Sequence, residues 1–252
     1  MKIATFLTYD KPILTCMVQA ENPERVKELI KLSLPEGAEA FGMQFCRMGE
    51  EYRSRETYKE LFAAASGLPV YVTNYRRFGE NRNKSEERLA EELVELADCG
   101  ATLCDVMGDF FAPCEGELTM DVDAVNKQIE LIDRLHKKGA EVLMSSHVLH
   151  FIPAQRVIEI ALEHQRRGAD ICKIVTGADS IEEQIENIRI TNLLKEKLDI
   201  PFLFLSAGEC RISRRIGGCL GNCMSLCVHE YDDLATETQP LLSEMKLIRD
   251  LI

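Results

Sequence analysis

No apolar run in the chain approaches the roughly 18 residues of a membrane-spanning helix, and the first residues lack the apolar core and small-residue cleavage site of a secretory leader. No proline- or glycine-rich stretch divides the sequence into parts of different composition, so it reads as one domain over residues 1–252. Positive charge is scarce: 30 Lys and Arg stand against 42 Asp and Glu, a formal charge of −12. That balance disfavours non-specific association with nucleic acid or an anionic membrane and points to a small-molecule partner. An anionic ligand would then need a locally positive site, which draws attention to Arg76, Arg211, Arg214 and Arg215. Absent too is a Gly-x-Gly-x-x-Gly motif after the first apolar run, which removes the dinucleotide-binding fingerprint.

Cysteine is plentiful, with 10 residues, but the chain has no C-x2-C pair. A disulfide framework suits shorter, loop-rich secreted chains, so the thiols read as reduced core residues of a cytoplasmic protein. Cys219, Cys223 and Cys227 form a C-x3-C-x3-C run that lacks the spacing of zinc or iron–sulfur ligands. No metal and no cofactor is expected.

What the sequence does contain is eight short apolar runs, at 14–18, 40–46, 70–74, 102–107, 142–146, 171–176, 202–206 and 224–228. They are continuous rather than alternating, as strands covered on both faces of a parallel sheet require. Amphipathic stretches separate them. In one, Leu89, Leu93, Leu96 and Ala97 recur at helical spacing and Gly100 follows the last turn; residues 121–138, 153–167 and 180–197 read the same way. Pro153 suits a first turn, and Ser180 with Glu183 forms a capping pattern. Eight alternating strands and helices in 252 residues predict a (β/α)8 TIM barrel, with a doubly wound open sheet as the alternative. In a barrel the chemistry sits at the C-terminal ends of the strands.

Two residues near such ends draw the eye. Lys173 stands within GADICKIVTG, in a strand that a barrel would bury. Desolvation disfavours the ammonium form and supplies an amine that can attack a carbonyl; the plainer reading is an ion-paired lysine snorkelling from a strand end. His147 closes the preceding strand, so both side chains would face one barrel mouth, where an imidazole could carry protons. The stretch SAGECRISRRIGG after the seventh run could offer backbone N–H groups and Arg214 to an anion, or could be a solvated turn.

The segments EGAEAFGMQF, TNYRRFGE, SSHVLHFIP, GADICKIV, ISRRIGG and ATETQP, in this order, resemble those of the type I 3-dehydroquinate dehydratases. The resemblance implies a Schiff-base hydro-lyase of the shikimate pathway. Lys173 would form an imine with the substrate ketone, and His147 would remove the α-proton and assist loss of the hydroxyl as water. It also implies that Glu80 supports the histidine and that Arg76 is the arginine of a T-x-R segment. Arg214 would bind the substrate carboxylate, and Gln239 would lie on a closing loop. The sequence departs from the family at the second strand, where Gly42 and Gln44 replace a Glu and an Arg. In the fourth strand Asp105 is kept for the substrate while Met107 replaces a Glu, and the late loop at 235–239 also differs.

The expected activity is therefore conversion of 3-dehydroquinate to 3-dehydroshikimate and water, with an anionic keto acid as partner and a homodimer left open. Two other readings stand beside it. One is a Schiff-base lyase or aldolase acting on another keto acid or sugar, and the other is a non-catalytic ligand-binding barrel.

Overall fold

The computed structural model describes residues 4–7, 11–236 and 238–251. Eight parallel strands follow one another in chain order: β1 (Ile13–Val18), β2 (Ala40–Gln44), β3 (Val70–Thr73), β4 (Leu103–Met107), β5 (Glu141–His147), β6 (Ile171–Thr176), β7 (Phe202–Ser206) and β8 (Met224–Cys227). Each pairs with its sequence neighbour, and β1 also pairs with β8. The barrel closes between β7 and β8 through a single bridge, Phe202 to Asn222. All eight expected strands form. The second is shorter than its apolar run: after Gln44 the chain turns into a 3-10 helix at Phe45–Arg47.

Eight helices cover the outside: α1 (Pro23–Glu36), α2 (Arg55–Ala64), α3 (Glu86–Asp98), α4 (Val122–Lys137), α5 (Ala154–Arg166), α6 (Ile181–Lys197), α7 (Ser213–Leu220) and α8 (Leu242–Asp250). Their starts follow from sequence chemistry. The side chains of Asn22, Ser54, Ser85, Asp121 and Ser180 each accept from a backbone N–H in the first turn. At α6 Ser180 Oγ accepts from the Glu183 N–H at 3.2 Å, as the capping pattern expects, while the Glu183 carboxylate accepts from the N–H of Asp179, one residue before the cap, at 2.7 Å. None of the described helices is long and apolar enough to cross a membrane.

Two-sided burial explains the continuous apolar strands. Residues of one parity, among them Leu14, Phe41, Val72 and Met144, pack outward against the helices. The other parity fills the barrel, with Ile13, Ala40, Leu103, Leu143, Ile171, Leu203 and Met224, and Phe6 joins this interior cluster. On β4, β5 and β6 the next inward positions are polar, Asp105, Ser145 and Lys173, while β7 and β8 stay apolar with Leu205 and Leu226. Ser145 is in register with Lys173, and Lys173 with Leu203. Strand alternation thus puts the lysine inside the barrel rather than under a helix.

Candidate active site

Lys173 is 4% exposed and enters the barrel from β6. Its Nζ lies 2.7 Å from the Tyr75 hydroxyl, 3.1 Å from the Tyr71 hydroxyl and 3.2 Å from Asp105 Oδ2. Asp105 is buried on β4, where its Oδ2 also accepts from Tyr75 at 2.5 Å and from Tyr71, and its Oδ1 from Ser145 at 2.5 Å. Burial alone would raise the Asp105 pKa, but Lys173 and these donors outweigh it and hold the carboxyl ionised. For Lys173 burial wins over the attraction of Asp105, and the amine pKa falls below its usual value. Both phenols are pushed well up, chiefly by burial and then by Asp105. A lysine with a depressed pKa, ringed by groups that can pass its proton on, is equipped for nucleophilic attack on a carbonyl.

His147 ends β5 one strand away. Glu117 Oε2 takes both its ring Nδ1 at 2.7 Å and its backbone N–H at 2.9 Å. The Glu117 pKa is lowered, since His147 and Arg77 outweigh burial, so the carboxylate accepts and Nδ1 must donate. The lone pair is then on Nε2, which makes no hydrogen bond among the described residues. Burial, followed by the nearby Lys173, lowers the His147 pKa to about 4. This ring is a neutral base held in one tautomer.

Glu117 reaches this place by a strained route. It ends a 3-10 turn at Glu115–Glu117 with φ 48°, in the left-handed region, directly after Gly116 at φ 79°. Fully buried Arg167 ties the same connection down by donating to Gly108 O at 2.9 Å and Thr119 O at 2.6 Å. The fit leaves no room at Gly108, where a Cβ would sit 2.9 Å from Ser146 Oγ and 3.1 Å from His164 Nε2.

Lys173 and His147 share a cavity of about 440 Å³ at the C-terminal mouth of the barrel. Gln44, Arg214 and Gln239 line it as well, so the structure brings five of the eight expected site residues together. Arg214 is 8% exposed, donates from Nε to Ser206 O at 3.0 Å and has no carboxylate partner among the described residues. Its burial lowers its pKa to about 10. Gln239 accepts from Gln19 at 3.3 Å. In the expected late loop, Thr236 and Thr238 line the cavity, and Glu237 lies outside the described residues.

Three expectations are corrected. Glu80 does not support the histidine: it is exposed on a 3-10 helix at Gly79–Asn83, where its carboxylate meets Asn83 at 3.5 Å. Glu117 takes that role because the connection after β4, rather than the one after β3, folds over His147. Arg76 is not in the cavity, since its guanidinium is spent on Glu86 and Asp109 at 2.7–2.8 Å. Successive side chains diverge in this turn, so Tyr75 and Arg77 face the cavity instead. Asp105 does not line the cavity either; it lies beneath, as the counter-ion of Lys173.

Tyr71, Tyr75, Arg77 and Glu117 were not singled out from sequence. The signals were a tyrosine at an inward position of a buried strand and a glycine-flanked carboxylate just after another. The place of the missing second-strand Glu is also filled. A Cβ on Gly42 would overlap the Met17 sulfur, come within 2.7 Å of Met17 Cε and lie 3.3 Å from the Tyr71 ring. The three spaced cysteines scatter, with Cys219 exposed on α7 and Cys227 buried in β8 donating to Thr15 O at 3.3 Å.

The family model described as type I 3-dehydroquinase matches residues 18–251. A 3-dehydroquinate dehydratase from Klebsiella pneumoniae is 31% identical over 192 residues, covering 72% of this chain and 69% of that protein. One from Listeria welshimeri is 32% identical over 111 residues, covering 42% of this chain and 44%, less than half, of that relative. Among solved structures, a type I 3-dehydroquinate dehydratase from Clostridium difficile with covalently modified comenic acid superimposes with a TM-score of 0.81 at 17% identity, covering 97% of this chain and 94% of that one. A 3-dehydroquinate dehydratase from Geobacillus kaustophilus gives 0.82 at 14% identity, with 99% and 95% covered. At these identities the structural likeness establishes the fold.

Proposed function

The chain belongs to the type I 3-dehydroquinase family, and on that premise we propose that it is a hydro-lyase that removes water from 3-dehydroquinate through an imine on Lys173. The observation that carries the reading is the juxtaposition of two groups on adjacent strands in one cavity: a buried amine of lowered pKa and an imidazole locked in its basic tautomer.

In the proposed sequence Lys173 Nζ attacks the ketone carbon, its proton passing toward Tyr75 and Asp105, and the carbinolamine loses water to leave an iminium. His147 Nε2 then takes the α-proton, and the C–H electron pair moves into an enamine. Glu117 stabilises the imidazolium so formed, much as a buried carboxylate does for the histidine of a hydrolytic triad. The imidazolium returns the proton to the β-hydroxyl, the C–O bond breaks, and hydrolysis of the conjugated imine frees Lys173. Arg214 takes the substrate carboxylate, with Gln239 and Gln44 as neutral hydrogen-bonding partners. No step calls on a metal or an organic cofactor. We place the protein in the cytosol, where ten unpaired thiols are kept reduced. A barrel retained only for ligand binding gives no account of an amine held beside a carboxylate-oriented imidazole.

Incubation with 3-dehydroquinate should raise the ultraviolet absorbance of a conjugated enone, and borohydride added during turnover should leave a mass increment on the Lys173 peptide. An unchanged protein mass would rule out the imine.

A further inference from the structure

Of the side chains lining the catalytic cavity, four are cationic, Lys173, Arg77, Arg214 and Arg47, and among the described residues none is a carboxylate. This is unusual ground on a chain of formal charge −12. Two of the four are neutralised from outside the cavity, Lys173 by Asp105 at 3.2 Å and Arg77 by Glu117 at 2.6 Å. The other two have no carboxylate partner among the described residues. Arg214 is buried, and only its Nε is engaged, by a backbone carbonyl. Arg47 ends the 3-10 turn that follows β2, with its guanidinium 3.9 Å from the centre of the Phe78 ring and its Nε buried without a hydrogen-bond partner.

Strand order fixes how these two are arranged. Arg214 follows β7, next to the Lys173 strand, whereas Arg47 follows β2, three strands further round through β8 and β1. A molecule bound to Lys173 with one anionic group on Arg214 would therefore extend its other end across the mouth toward Arg47. Contact with the face of Phe78 restrains that guanidinium and limits the entropy lost when it meets an anion. Desolvating a guanidinium is unfavourable unless a charged partner offsets it, so an unpaired one at a cavity wall favours anions over hydroxyls.

We infer that, beside the monoanionic 3-dehydroquinate, the site accepts and prefers a keto acid bearing a second anionic group, carboxylate or phosphate, at the end remote from Arg214, and that Arg47 is the specificity-determining residue for this preference. The inference rests on the Schiff-base reading only in assigning this preference to a substrate. Arg47 is half-buried at the rim, apart from the polar cluster beneath Lys173, so its replacement leaves that cluster intact.

The test compares benzoate with benzene-1,3-dicarboxylate and benzene-1,4-dicarboxylate as ligands of the full chain by calorimetry, in the wild type and in R47Q, R47K and R211Q. Borohydride trapping with 3-dehydroquinate is run on the same samples. Two carboxylates on one ring give a statistical advantage of about twofold; a charge-assisted bond to Arg47 should raise it to roughly tenfold or more for at least one isomer. The advantage should fall to about twofold in R47Q, survive in part in R47K and be unchanged in R211Q, which removes an exposed charge outside the cavity. A wild-type ratio near two, or a larger one that persists in R47Q, would overturn the second anion site whatever trapping shows. Absence of a trapped adduct in the wild type would instead sink the Schiff-base reading, and the assignment to a substrate with it.

Discussion

Lys173 and His147 are separable by experiment because one makes a covalent bond and the other moves protons. Lys173→Met should abolish both turnover and borohydride trapping. His147→Ala and Glu117→Gln should keep trapping, detected by mass, while turnover falls by on the order of 10²–10⁴-fold for the former and less for the latter. Equal loss of trapping in all three would show that the histidine is needed to form the imine. A pH dependence follows from the His147 pKa of about 4. The unfolded chain protonates this ring near 6.5, roughly the free value, while the folded protein resists protonation to a lower pH. Folded stability contributed by this group is therefore complete above about pH 6.5 and is lost as pH falls toward 4. The acid limb of kcat/KM, which reports the free enzyme, should likewise lie well below 6.5, and a limb at 6.5 would mean that the ring is solvated. Lys173 and His147 were legible in sequence because one is a cation within an apolar strand and the other closes the strand before it. Glu117 was not, because no local pattern reveals which loop folds over which strand end.

Two elements control this site from outside it. The connection after β4 carries Glu117 in a left-handed conformation and is secured by Arg167, which also donates to Gln128 at 2.6 Å. Arg167→Met would leave Thr119 O and Gln128 Oε1 without their buried donor, while Gly108 O keeps the Thr119 N–H and Gln128 Nε2; the expected cost is about 3 kcal/mol in denaturant unfolding. It should lower kcat more than it raises KM, because it loosens the base and not the anion sites. A change in KM alone would deny the connection this positioning role. The second element is β2, where Met17 from β1 occupies the space above Gly42. Gly42→Ala should destabilise by about 1–3 kcal/mol through overpacking, and Met17→Ala in the same chain should recover most of it. Additive losses in this double-mutant cycle would show that the two residues do not compete for space. The sequence reveals the loss of charge at Gly42 and Gln44 but not what replaces it, since Met17 and Tyr71 arrive from neighbouring strands.

At the scale of the whole barrel, strand number and order could be read from the apolar runs, while closure could not, because it depends on one residue between α7 and β8. Asn222 does with its side chain what a strand does with its backbone: Oδ1 accepts from the Phe204 N–H at 2.9 Å and Nδ2 donates to the Phe204 carbonyl at 3.0 Å. Gly217 must lack a Cβ, which would overlap that amide. Elsewhere the ladders carry four or five register pairs, apart from the β3–β4 pairing with two, whereas β7 and β8 share a single bridge. The barrel therefore has a seam, and amide hydrogen exchange should begin there: β7 and β8 are expected to lose protection before β5 and β6. Arg214 stands on one bank of that seam and Gln239 on the other, so an anion held by both would act as a stitch. Added benzoate should slow exchange in β7 and β8 selectively; uniform slowing across all eight strands would mean that the barrel opens only by unfolding as a whole.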